Sequence, residues 1–403
     1  MNAIRNYFAG LTLRPQGLII VFAGFLPIIA IVSMFPVVPS LISHFAADPD
    51  AKVKVPLMVA APGLTMAVLA PFAGFFVDKF GRRKLLLWCT FLYGFFGAAP
   101  LLLDNLNAIF ASRLVLGVCE AGILTIINTL IGDYWDDKGR KNWLFLQAVV
   151  GPFLAAFVTL AAGYSVQLLW NGVFLIYLVA FPIWLGMVKY LYEPARPEGE
   201  PSPVAKAAPA TAFPYCQAAM VAGLTLFASA LYYVFIISGG LAFEELGVTE
   251  PERVGQLSFV PSLLVMLGAA IFKTISNRPN HVQLSAFLGM LGIGLAGIGL
   301  SRSVEEMVIA LCIQQTAVGM AVPTLISWTQ SKFTFEHRGR GMGLWTGAFF
   351  FGQFSSPWLV HRLDLATGSV KGAFTVAGCA GLAMVIVLMI GSRRSSPQVA
   401  GES

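Results

Sequence analysis

Charge is scarce in this chain. Of 403 residues only 11% are Asp, Glu, Lys or Arg, while 57% are hydrophobic. A water-soluble domain carries roughly 25% charged residues, so a chain with less than half that share cannot be wrapped in a fully solvated surface. Histidine is scarce too: His44, His281, His337 and His361 are scattered, with no spacing that would ligate a metal. The five cysteines, Cys89, Cys119, Cys216, Cys312 and Cys379, each lie in an apolar run without a Cys-x-x-Cys pair. That excludes a disulfide framework and a zinc site as organising devices and leaves small buried hydrophobes. No nucleophile–base set stands out, so an enzyme is not expected. Neither a metal nor a cofactor is expected. The net charge of +6 sits in short loops between apolar runs and therefore reads as membrane topology, not as a nucleic-acid surface.

What the chain has instead is long apolar runs, with a mean hydropathy of +0.77. A hydrocarbon core about 30 Å thick takes roughly 20 apolar residues in a helix. Runs of that length recur at Gly17–Ile42, Val55–Val77, Leu85–Leu103, Leu106–Ile131, Trp143–Leu168 and Gly172–Leu191. After a Pro-rich polar break come Tyr215–Leu241, Val254–Ile275, Val282–Leu300, Val304–Gln330, Gly341–Leu363 and Val370–Ile390. None alternates in polarity as barrel strands do, and helices are the other way to satisfy a backbone in lipid. The sequence therefore predicts an all-α membrane protein with 12 transmembrane helices. Arg5 and Arg14 before the first run look faintly like a signal peptide, but the run is too long for a signal core and reads as span 1.

Lys and Arg divide unevenly between the two sets of loops. Nineteen fall on the side of Lys79–Lys84, Lys138–Lys141 and both termini, six on the other, and Arg113 alone lies inside a span. The richer side is expected in the cytoplasm, with both termini. The break from Glu193 to about Pro214 reads as a cytoplasmic linker, dividing the chain into a six-helix bundle at 1–192, a linker at 193–213 and a second bundle at 214–403. The segment Gly268–Pro279 after span 8 faintly echoes Ala73–Lys84 after span 2. Two pseudo-symmetric halves are the transporter pattern.

The loop after span 2 reads Gly74-Phe-Phe-Val-Asp78-Lys-Phe-Gly81-Arg82-Arg83-Lys84. A glycine permits close approach of a neighbouring helix, and Asp78 can accept from a helix N-terminus and pair with Arg82. This loop resembles the loop 2–3 motif of the major facilitator superfamily (MFS), with Lys79 for the usual Arg, and the resemblance extends over essentially the whole chain. It implies the MFS fold and a cytoplasmic latch between halves built from Gly74, Asp78, Gly81, Arg82 and Arg83, with Asp133 as second acid facing Arg82.

Span 4 carries Arg113-x-x-x-Gly117-x-x-Glu120, similar to the superfamily's helix 4 motif but with Leu116 where drug exporters often have Gln. Arg113 and Glu120 are the only charges well inside a span, which makes them functional candidates. Seven residues apart, they share a helix face about 10 Å apart along the axis, too far for easy direct pairing. Three readings stay open: proton coupling, a fixed structural pair, and binding of a substrate cation. Gly151-Pro152 on span 5 is a degenerate form of the bend seen in antiporters of the superfamily. Arg338–Trp345 and the following Gly347–Pro357 segment resemble loop 10–11 and helix 11 of bacterial facilitators.

Uncharged polar residues inside spans are the candidate substrate cavity: Asn128, Gln147, Tyr232, Tyr233, Gln314, Gln315, Thr316 and Gln353. Amides and aromatics suit a neutral or weakly amphiphilic organic solute. The expectation is a proton-coupled exporter of such a compound, an antiporter drawing on the proton gradient, monomeric in the lipid bilayer of a bacterial inner membrane. The alternative is a symporter or facilitator that imports a nutrient or organic anion. Glu193-Pro194 after span 6 is too short to carry a sugar-porter signature.

Overall fold

A computed structural model describes residues 15–135, 137–193, 212–334 and 337–394. Among the described residues the chain forms twelve helical segments. They are α1 (Pro15–His44), α2 (Ala51–Phe80), α3 (Arg82–Ala98), α4 (Leu106–Tyr134), α5 (Asp137–Ser165) and α6 (Gly172–Tyr190). The second six are α7 (Tyr215–Glu244), α8 (Pro251–Ile275), α9 (Asn280–Leu300), α10 (Val304–Lys332), α11 (Arg338–Thr367) and α12 (Val370–Arg394). Ten have the length and apolarity to cross a membrane, and the apolar part of α5 is shorter, Val150–Ser165. Most of the expected linker, residues 194–211, lies outside the described set.

The regular spans expected at both ends of the first half are interrupted. α1 is broken into Pro15–Gly24, Leu26–Val32, a 3₁₀ turn at Phe35–Val37 and Val38–His44. Pro27, Pro36 and Pro39 each withhold an N–H from the turn before them. α6 opens as a 3₁₀ stretch, Gly172–Val179, before becoming α-helical at Ala180–Tyr190.

The end of the bundle bearing Arg82, Arg83, Lys189, Lys332 and Arg338 is its basic face. At the other end a short turn joins α1 to α2, where the Lys54 ammonium lies 2.8 Å from Asp48. That pair holds the Asp48 carboxyl below the ordinary carboxylate range.

The halves meet along α2 with α11 and α5 with α8. Small residues make this possible. A Cβ at Gly63 would lie 2.8 Å from the Phe350 carbonyl oxygen, and one at Gly163 would lie 2.4 Å from that of Pro251. At the end away from the basic face, the Phe35 and Phe235 rings approach to 4.9 Å, and Gly240 admits the Phe35 carbonyl, placing α1 against α7. Within the second half, α8 and α10 cross backbone to backbone: a Cβ at Gly319 would stand 2.0 Å from the Val265 oxygen. In lipid such close van der Waals packing replaces a hydrophobic drive between helices.

Candidate functional site

Arg113 is 1% exposed and Glu120 is 2% exposed. The first question for a buried guanidinium is where its donors go. Arg113 Nη2 donates to the Phe96 carbonyl at 2.9 Å and to that of Gly97 at 2.6 Å. The reason lies in α3: Pro100 has no N–H to offer the carbonyl four residues before it, Phe96, so that acceptor is free for another donor. The guanidinium also lies over two rings of α6, 5.1 Å from the Phe174 centroid and 4.8 Å from that of Tyr177. Gly97 gives the Tyr177 ring its place, since a Cβ there would be 2.4 Å from the ring. Arg113 thus pins the end of α3 to α4 and α6.

Among the described residues its Nη1 has no hydrogen-bond partner, and neither does Glu120 Oε1. The described ion pairs do not include Arg113 with Glu120, in keeping with their spacing. Both line a small chamber together with Ala30, Met34, Pro62, Tyr177 and Gln353. Its volume is about 10 Å³, the lower limit of what holds one water. Gln353 comes from α11, in the other half, and is 4% exposed. The chamber therefore has walls from both bundles.

Glycines connect this chamber to the seam. Gly117 lets α4 cross α2 so closely that a Cβ there would be 2.4 Å from the Pro62 oxygen, and Thr65 Oγ1 donates across the same crossing to the Leu114 carbonyl at 3.0 Å. One residue past Pro62, Gly63 meets Phe350 and Gln353. α4, α2 and α11 are thus in direct contact at the level of the charged pair.

A second polar cluster lies on the basic face. The backbone N–H groups of Arg82 and Arg83 donate to the two oxygens of Glu193, at 2.7 and 2.8 Å. This caps the N-terminus of α3 with a carboxylate, satisfying orphan donors and complementing the helix dipole. Gly81, at φ 83°, makes the sharp entry that an L side chain resists. The Arg83 guanidinium reaches onward to the carbonyls of Leu191 at 2.8 Å and Val188 at 3.0 Å, at the end of α6. Glu193→Ala is expected to speed amide exchange at Arg82 and Arg83 roughly tenfold, with Glu193→Gln intermediate. Hydrogen-exchange mass spectrometry reads this, and unchanged protection would remove Glu193 from the cap.

The family profile of the Major Facilitator Superfamily matches residues 20–357. The chain belongs to the major facilitator superfamily. Among curated relatives, the bacillibactin exporter of Bacillus subtilis (strain 168) is 29% identical over 113 residues, 27% of each chain. The niacin transporter NiaP of Acinetobacter baylyi is 20% identical over 367 residues, 81% of this chain and 82% of that one. The chain thus spans about a quarter of the exporter's length in that match. Among solved structures, the human organic anion transporter MFSD10 (TETRAN) superposes with a TM-score of 0.70 at 16% identity, covering 93% of this chain and 99% of that one. A D-xylose–proton symporter gives 0.72 at 13% identity, covering 93% and 96%. At such identity these establish the fold alone, the MFS fold of two six-helix bundles.

Within this MFS fold the expected site residues separate. Gly74, Asp78 and Asp133 lie outside the residues whose side chains are described, so of the expected latch only Gly81, Arg82 and Arg83 can be placed. Arg82 and Arg83 are held by Glu193, the first residue of the expected linker and a partner the sequence reading passed over. Of the expected cavity residues, Gln353 lines the chamber with Arg113 and Glu120, while Asn128, Gln147, Gln314 and Gln315 do not. Gln314 lies away from that chamber. It is wholly buried, and a Cβ at Gly294 of α9 would lie 2.6 Å from its backbone. Tyr232 and Tyr233 gather instead around Phe349, both at 5.6 Å, with Trp345 stacked on the same ring. Gly151 receives Phe25 of α1, and Pro152 lies within α5 as expected.

Proposed function

We propose that this transporter exports a small neutral or amphiphilic organic compound across a bacterial inner membrane in exchange for protons, by alternating access. The observation that carries this reading is Glu120: a buried, unpartnered carboxyl in a chamber walled by both halves. Taking a charge out of water is costly, so its protonation state is tied to whether the chamber is sealed or wet. Arg113 holds the geometry, and Gln353 lets the second half sense it. The proton gradient is the energy source and no cofactor takes part. The basic face lies in the cytoplasm with both termini and the linker, and the latch of Asp78, Arg82 and Asp133 works there. The functional unit is a monomer.

Proton symport or facilitated import of a nutrient or organic anion is the second reading. It is favoured by the length of the match to the niacin transporter NiaP, 81% of this chain, against 27% for the bacillibactin exporter.

A thermal-shift screen of the purified protein at two pH values supplies a transported ligand, because a ligand that binds only the folded state raises its stability. With that ligand in proteoliposomes, Glu120→Gln is expected to abolish stimulation by a pH gradient while solute exchange continues. Gradient-driven flux that survives in the variant would take proton coupling away from Glu120. The sign of the gradient that drives accumulation separates export from import.

A further inference from the structure

The pseudo-symmetry of the halves provides an internal comparison. On the basic face of the first half, the corner among α1, α3, α4 and α6 is closed. Arg83 bonds the end of α6, and the Tyr134 hydroxyl at the end of α4 donates to the Tyr192 carbonyl at 2.5 Å with the two rings stacked. Ile19 of α1 fills the space over Gly186.

Among the described residues the corresponding corner of the second half, between α7, α9, α10 and α12, is open. It holds a cleft of about 740 Å³. Its walls are apolar: Leu224 and Phe227 from α7, Leu284 from α9, Trp328 from α10, Met384 and Leu388 from α12. Gly223 leaves room there, since a Cβ at that position would meet nothing within 4 Å. The mouth is polar and basic, formed by Lys332, His281 and Asn280. Asn280 Nδ2 donates to Ser331 Oγ at 2.8 Å, which fixes the rim between α9 and α10. Lys332 has no acidic partner among the described residues. The cleft runs from this rim about two helical turns inward, Met220 to Phe227, or roughly 10 Å.

We infer that this cleft binds one anionic phospholipid from the leaflet on the basic face, its phosphate at Lys332 and an acyl chain along Leu224, Phe227 and Leu388. Charge and shape agree on an amphiphile with a negative head. A basic pocket between membrane helices at a cytoplasmic end is suited to such a headgroup, and a Lys at a helix end keeps its charge at the interface while its stem lies on apolar surface. A free phosphate leaves the apolar walls uncovered, and a zwitterionic lipid brings a cation of its own that offsets its phosphate beside Lys332. The site belongs to one bundle and is separate from the chamber at Glu120. Only the choice of leaflet rests on the orientation proposed above, and binding to purified protein does not depend on it.

Native mass spectrometry of the full chain, with added phosphatidylglycerol or phosphatidylcholine of matched chains, tests this directly. Phosphatidylglycerol is expected to be retained at least about fivefold more than phosphatidylcholine. Lys332→Gln is expected to reduce that preference about fivefold, and Gly223→Leu to reduce retention of either lipid. Brominated phosphatidylglycerol should quench wild-type tryptophan fluorescence more than that of Trp328→Phe, which locates the chain in the cleft. Equal retention of the two lipids, insensitivity to both variants, or displacement by millimolar inorganic phosphate would each overturn the proposal. So would lipid binding that appears only after removal of residues 395–403, because the chain's own tail would then be the occupant. Thermal midpoints of the variants close to wild type exclude misfolding as the cause of lost binding.

Discussion

Replacing Arg113 by Met is expected to lower the thermal midpoint of the purified transporter by many degrees and to stop transport. The side chain donates to two carbonyls buried at the end of α3 and lies over two rings of α6. Without it each carbonyl is an orphan acceptor, at about 1–3 kcal/mol apiece, and the cation–π contacts are lost, at about 2 kcal/mol when desolvated. The removed cation's own burial cost works the other way, and the net loss is expected at about 3 kcal/mol. Arg113→Lys keeps the charge without the planar fork that spans two acceptors, so it should recover only part of the stability. A double variant with Glu120→Gln separates anchoring from electrostatic coupling. If Arg113 only fastens α3, its stability effect adds to that of Glu120→Gln; if it also stabilises a charged Glu120, the two do not add. A midpoint and a flux both unchanged in Arg113→Met would dismiss it as an anchor.

Arg113 also marks the boundary between what the sequence made legible and what it did not. A lone basic residue in an apolar run is conspicuous, and so are Glu120 and the glycines around them. Arg113's partners are main-chain carbonyls, which no side-chain pattern announces. The available signal was Pro100, whose missing N–H frees the Phe96 carbonyl. The twelve spans were readable because hydropathy is a local property, whereas the direction each polar residue faces was not. A helix that is apolar on every side gives no stripe to say which face is inward, and nothing in its pattern announces that Gly294 of α9 packs against Gln314. Glu193 was passed over because its role depends on the fold bringing it beside Arg82 and Arg83, 111 and 110 residues away in sequence. Gln353 was noticed as a polar residue in lipid-length sequence, but only the packing of α11 on α2 gives it to the same chamber as a glutamate of the other half.

That packing carries the second large expected effect. Gly63→Leu is expected to shift the conformational equilibrium away from the arrangement in which α2 and α11 are in contact, by roughly 30-fold. At Gly63 a Cβ lies 2.8 Å from the Phe350 oxygen and 3.0 Å from Gln353. The obstacle on the Phe350 side is backbone, which cannot turn aside as a side chain can. Forcing extra bulk into a packed contact costs about 1–3 kcal/mol, and about 2 kcal/mol corresponds to roughly 30-fold in population. The cost falls only on the state in which the two helices touch; a state in which they separate at this level is spared it. Spin labels at exposed Ala47 and Thr249, on either side of the seam in a cysteine-free background, report the distance between halves by pulsed electron resonance. The expected result is a longer distance and a diminished short-distance peak, with transport reduced because the cycle has lost one of its two states. Gly223→Leu is the control: it adds the same bulk where a Cβ meets nothing within 4 Å, inside one bundle, and should leave the distances unmoved. A distance distribution identical to wild type in Gly63→Leu would mean that α2 and α11 slide past one another without relying on this contact, and the route from Glu120 through Gly117 and Pro62 to Gln353 would lose its last link.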